Sequence, residues 1–142
     1  MTSIGPGRCC SVTDLRVAPR FLLDSNICIY LLEALSDRAR HRAESCALGE
    51  VVTSAVVYAE VLRGVDPADG HAMRAMRAFF DLITPLPFDT TAAEAYQRLP
   101  FRRGRFDRLI GAHALALRLT VVTANVSDYA DIPGLSVENW TQ

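Results

Sequence analysis

The sequence predicts an α/β fold, a mostly parallel sheet with helices on both faces. Short apolar runs alternate with segments whose apolar residues recur at helical spacing. The runs are apolar at consecutive positions, as strands covered on both faces are. With 142 residues, 50% of them hydrophobic, the chain has the material for one domain with a real core.

Residues 1–19 hold Gly5, Pro6, Gly7 and Pro19 with no hydrophobic period. They are expected to form a flexible tail, with the folded domain at 20–142. Phe21, Leu22 and Leu23 make a buried strand ending at Asp24. A helix over 26–35 follows, capped near Ser25. Ser36 is placed to cap a second helix through 48, closed by Gly49. A strand over 50–53 leads to Ser54, which caps a helix over 55–63 ended by Gly64. Another helix is expected over 68–83. Two prolines confine the extended piece at 85–88 to an edge or a strand end. Thr90 or Thr91 opens a helix through 99, and after an Arg-rich loop residues 106–117 are helical. The last clear strand is 119–123, with a turn or short helix at 125–130 and a small final strand at Val137. In such sheets ligands bind at the carboxyl ends of the strands.

The net charge of −1 points to no partner, so any nucleic-acid contact must come from a local patch. All 15 basic residues are Arg, which removes every mechanism that needs a lysine. Cys9, Cys10, Cys28 and Cys46 show no C-x-x-C pair or zinc-finger spacing, and Cys28 reads as a core residue. No apolar stretch reaches about 18 residues and no signal-peptide pattern opens the chain, so the cytoplasm is the expected compartment and no membrane partner is expected.

Four acids stand at the expected strand ends. Asp24 follows the first strand. Glu60 lies on the helix after the second, among apolar neighbours. Asp107 opens the helix at 106–117, and Asp128 follows the last strand. Each alone has a plain reading as a helix cap, a solvated face or a turn. Together they converge on one edge of the sheet. Carboxylates crowded there repel one another unless a cation neutralises them, and an all-oxygen set suits Mg²⁺ or Mn²⁺. Such an ion serves phosphodiester hydrolysis.

The segments 22–30, 53–60 and 106–114 resemble the three main motifs of PIN-domain ribonucleases. The ending at 121–129, 132–135 and 137–140 resembles VapC toxins of bacterial toxin–antitoxin pairs. The match runs in order over 20–140. The resemblance implies an α/β/α sandwich and a metal-dependent endoribonuclease, with Asp24, Glu60 and Asp107 as ligands of one or two Mg²⁺ or Mn²⁺ ions. Ser25 takes the place of a small hydroxyl and Asn26 braces the first loop. Asp128 is the fourth acid, with Asn125 supporting. The resemblance also implies a homodimer and a VapB-like antitoxin, a small DNA-binding protein whose arginine would approach Asp24 or Asp107. Leu31, Leu32, Leu35, Phe79, Phe80 and Leu82 are candidates for a shared surface. Two departures stand out: a short connection between Tyr96 and Asp107, and the segment before Arg20, for which Val12 is a candidate alternative start.

Arg102, Arg103, Arg105 and Arg108 flank Asp107 and are expected to contact RNA phosphates. Phe101 and Tyr129 are available as aromatic partners, Phe106 is expected in the core, and His113 is expected as a packed helix residue. The competing readings are a PIN-like binding module without chemistry and a receiver-like phospho-acceptor domain. The latter needs a lysine that the chain lacks.

Overall fold

A computed structural model describes residues 17–101 and 105–142. The elements run β1 (Phe21–Leu23), α1 (Ser25–Leu32), α2 (Asp37–Glu44), β2 (Val51–Ser54), α3 (Ala55–Arg63), α4 (Gly70–Leu82), β3 (Pro85–Leu86), α5 (Thr90–Gln97), α6 (Phe106–Leu117), β4 (Thr120–Val122), a 3₁₀ turn (Val126–Tyr129) and β5 (Val137–Glu138). The sheet order is β3-β2-β1-β4-β5, and every pairing is parallel. β1 is central, with Leu22 set between Val52 and Val121. Side chains of a strand point to opposite faces in turn, yet Phe21, Leu22 and Leu23 are all buried, so helices cover both faces of the sheet. The proline-bearing β3 lies at one edge.

Side-chain caps set most helix starts. Ser36 accepts from Ala39 N at 3.1 Å and Ser54 from Val56 N at 3.1 Å. Asp69 and Asp89 cap α4 and α5 in the same way, at 3.1 and 3.0 Å, so those helices begin one to two residues away from the periodic pattern. The first helix begins one residue early, because Asp24 rather than Ser25 is its cap. It also ends early, at Leu32, where Ala34 takes a left-handed φ of 55° that no helix continues through. α2 ends at Glu44 rather than 48, and Gly49 supplies the positive φ of 93° that turns the chain into β2.

The core centres on β1, β2 and β4, with Ile27, Cys28, Val57, Met76, Phe80, Ile110 and Trp140 packed against them. Trp140 meets Phe21 edge-on at a centroid distance of 5.1 Å, which fastens the end of the chain to the central strand. Gly111 lets α6 approach the segment after β4, since a Cβ there would lie 2.6 Å from Ile132 Cδ1. That approach places Tyr129 beside the end of β1. Of the expected tail, only residues 17–19 are described, and Val17 N donates to the Leu48 carbonyl. The candidate start Val12 lies outside the described residues.

Candidate active site

Asp24 stands at the carboxyl end of the central strand and is 7% exposed. Its Oδ1 accepts from Ser25 N at 2.7 Å. Its Oδ2 accepts from Thr123 Oγ1 at 3.0 Å and Tyr129 Oη at 2.9 Å. The Thr123 hydroxyl donates to Asp24 and accepts from Asn125 N at 3.0 Å and Asn26 Nδ2 at 3.4 Å, filling its one-donor, two-acceptor capacity. Asn26 Oδ1 accepts from Ala124 N at 3.1 Å, so Asn26 ties the first loop to the loop after β4. Burial raises the Asp24 carboxyl above its ordinary range, against the pull of its three donors, and the charge of Asp107 adds to the rise.

Glu60 reaches the same place from α3. Its Oε1 is buried with no hydrogen-bond donor among the described residues. Burial raises its proton affinity first, the charges of Asp24 and Asp107 raise it further, and the Ser25 hydroxyl opposes them. Three carboxylates from the end of β1, from α3 and from the first turn of α6 thus feel one another. Asp107 Oδ2 accepts from Arg105 Nη2 at 2.8 Å, and the same nitrogen lies 3.2 Å from Asp128 Oδ1. Arg105 therefore occupies the space between these two acids as their counterion. Among the described residues no three ligating groups already stand as a formed metal cage. In this arrangement donors hold Asp24, and Arg105 holds Asp107 and Asp128.

The RNA-contact expectation changes for Arg108. Its side chain is 0% exposed, because its position in α6 faces the 3₁₀ turn rather than solvent. It donates to the Asp128 carbonyl, pairs with Asp131 at 3.0 Å and lies 3.7 Å from Asp107 Oδ1, so it cannot reach a phosphate without breaking these contacts. Arg102 and Arg103 lie outside the described residues. Tyr129 is also removed from the aromatic candidates, since its ring is buried and its hydroxyl serves Asp24. Phe106 moves the other way. Expected in the core, it is 57% exposed, and Phe101 is exposed as well. His113 is buried on α6, with Nδ1 2.8 Å from Ser54 Oγ and Phe88 edge-on at 5.5 Å, and burial holds its imidazole below the usual value. The side chain of Asn125 is exposed, and only its backbone joins the network.

The roles of Thr123, Tyr129 and Asp131 go unread in the sequence, where Tyr129 is offered only as an aromatic partner for RNA. A signal for the first two existed: a buried aspartate after a central strand must find donors, and the neighbouring strand end offers hydroxyls. Asp131 had none.

The PIN domain family model matches residues 21–134, from the first residue of β1 to the turn before β5. The chain belongs to the PIN-domain family. Among curated proteins, the chain is 27% identical over 130 residues to the tRNA(fMet)-specific endonuclease VapC of Salmonella typhimurium, covering 85% of this chain and 98% of that protein. It is 28% identical to ribonuclease VapC2 of Rickettsia felis, covering 84% and 97%. Among solved structures, VapBC2 from Rickettsia felis bound to a promoter DNA fragment matches with a TM-score of 0.76 and 27% identity, covering 84% of this chain and 98% of that one. DNA-bound VapBC from Salmonella typhimurium matches with a TM-score of 0.77 and 26% identity, covering 86% and 98%. A PIN domain thus accounts for the sheet order and for the acids gathered at its carboxyl edge.

Proposed function

We propose that this PIN domain is a metal-dependent endoribonuclease and the toxin of a toxin–antitoxin pair. The observation that carries this is the shared field of Asp24, Glu60 and Asp107, with one Glu60 oxygen buried and without a donor. A buried carboxylate oxygen with no donor is costly unless a cation meets it. The donor set is all oxygen, which fits Mg²⁺ or Mn²⁺. Asp24, Glu60, Asp107 and Asp128 would hold the ion, which supplies Lewis acidity to a phosphodiester.

The protein's own groups do the rest. Ser25 N, Thr123 and Tyr129 fix the Asp24 carboxylate in one orientation. Asn26 locks the two loops that carry those donors. Arg105 neutralises Asp107 and Asp128 until it yields them, after which its cation is free to meet an RNA phosphate. The Salmonella relative is named for tRNA(fMet), which makes a tRNA the first substrate to test.

The partner reading rests on a separate feature. Leu31, Ala43, Leu48, Phe79, Leu82 and Ile83 line an apolar groove of about 430 Å³ between α1, α2 and α4. Leu82 is exposed there, whereas Phe80 turns into the core and leaves the set of candidate contacts. This groove would take the antitoxin, beside a homodimer interface. Such a toxin works in the cytoplasm, and no helix among the described residues is long and apolar enough to cross a membrane.

The test is cleavage of tRNA by the purified chain. Mg²⁺ or Mn²⁺ supports cutting, EDTA abolishes it, and co-purified antitoxin suppresses it. Cutting that persists in EDTA refutes the metal site, and no cutting of transfer, ribosomal or messenger RNA with either ion leaves the binding-module reading.

A further inference from the structure

Beside the carboxylates lies a second groove, between α3 and α6, of about 480 Å³. Val56, Ala59, Glu60, Arg63, Phe106 and Leu109 line it. Its walls are apolar and its polar groups stand apart. Glu60 belongs at once to this groove and to the acidic site, so the two are continuous. Positions 56, 60 and 63 are spaced by four and three residues, so Val56, Glu60 and Arg63 share one face of α3. Ala59 supplies width by being small. Phe106 stands next to Asp107 at the start of α6, and the residue is 57% exposed. A large aromatic left open beside a polar site, with an arginine on the same wall, is how proteins hold single-stranded nucleic acid.

We propose that this groove is a nucleobase subsite, resting on the ribonuclease reading above. An unpaired base of the RNA stacks on Phe106, against Leu109 and Ala59. Arg63, exposed on the last turn of α3, meets the adjoining phosphate. The subsite holds the nucleotide next to the bond that lies at Asp24, Glu60 and Asp107. An apolar wall gives a π-face a partner but offers no edge pattern for reading a particular base, so stacking strength sets the preference. A paired base is excluded, because its faces are already stacked in the helix.

The test is a cycle between protein and substrate, run with the full chain and Mg²⁺ on a short RNA that it cuts. One arm compares the unmodified chain with Phe106→Leu and Phe106→Trp. The other compares the RNA with versions lacking one base at each position around the cut. Phe106→Leu lowers kcat/KM by about 5- to 100-fold, and Phe106→Trp keeps it. Removing the base at one position lowers it by a similar factor. The two losses do not multiply when combined. Melting temperatures stay level, since the residue is mostly exposed. Losses that multiply, or no position at which base removal matters, overturn the subsite while the ribonuclease reading stands. So does a Phe106→Leu chain that cuts normally but binds an antitoxin less tightly, which would give the groove to a protein. Failure of the unmodified chain to cut any RNA removes both readings together.

Discussion

Replacing Arg108 with methionine separates a structural arginine from a functional one. Methionine retains most of the buried apolar stem and removes the charge. Three contacts disappear, the longest of them the 3.7 Å approach of Arg108 Nε to Asp107 Oδ1. The Asp128 carbonyl loses its donor, which costs about 1 kcal/mol at this part-buried position. Asp131 loses the cation at 3.0 Å, and breaking a fully buried pair costs about 3–5 kcal/mol. The Asp131 side chain is 31% exposed, so water recovers a large part of that second term. A net loss of about 3 kcal/mol follows, equivalent to roughly 10 °C in melting temperature for a domain of this size. Arg105→Ala is the control. That side chain is 40% exposed, and its removal barely moves the melt. Circular dichroism against temperature reads the stability of both variants, and RNA binding against salt reads their phosphate contacts. Arg105→Ala flattens the salt dependence and Arg108→Met does not. An Arg108→Met chain that melts with the unmodified protein, yet loses about one ion from the salt slope, would refute the buried-pair argument.

Asp24→Asn keeps an oxygen for Ser25 N and so keeps the helix cap, but RNA cleavage falls by more than about 100-fold, because even groups one shell out from a metal are worth about 10–100-fold. Near-normal cleavage by that variant would remove Asp24 from the site. Glu60→Gln relieves a buried charge, so in EDTA it melts above the unmodified chain. Saturating Mg²⁺ raises the melt of the unmodified chain and leaves Glu60→Gln in place; an ion at 100 times its Kd adds about 2.7 kcal/mol. A melt of the unmodified chain that ignores Mg²⁺ counts against the metal. His113 is held below its ordinary value of 6.5, so its contribution to stability is intact above that pH and is lost as pH falls from there toward the folded-state value. Asp24 and Glu60 are raised and work in the opposite sense, so the readout is the difference between the unmodified chain and His113→Asn, measured by denaturant melts between pH 5 and 8. That difference shrinks as pH drops, and one independent of pH would mean that His113 is not held neutral.

The layout of strands and helices was legible because the apolar runs at 21–23, 51–52 and 121–122 are strong enough to be strands in any context. Their edges were less so. A helix start is set by whichever side chain reaches the free N–H groups, and Asp69 and Asp89 capture starts that periodicity alone puts elsewhere. Asp24 and Glu60 stood out in the sequence because one ends a strand and the other lies on the helix that follows a strand, whereas Asp107 opens a helix that follows another helix and was gathered with them by motif. Arg108 and Phe106 could not be assigned the same way. Near the start of α6, about half a turn of rotation decides which residue enters the protein. The arginine goes in because Asp131 and the Asp128 carbonyl await it, and the phenylalanine stays out beside α3. Local hydrophobicity gives the reverse order, and only contacts distant in sequence correct it.

The placement of β1 bears on how such a chain is made. Asp24 emerges early from the ribosome, but its Thr123 and Tyr129 donors follow 99 and 105 positions later. The strand bearing Asp24 also cannot complete its pairing before β4 exists. A sheet whose first strand is its middle one has mostly non-local contacts and closes late. The nascent chain therefore carries its acids without a working arrangement until nearly the whole domain has been synthesised. Chains broken off before residue 129 lack the Tyr129 donor that holds Asp24 Oδ2, so they are expected to cut no RNA.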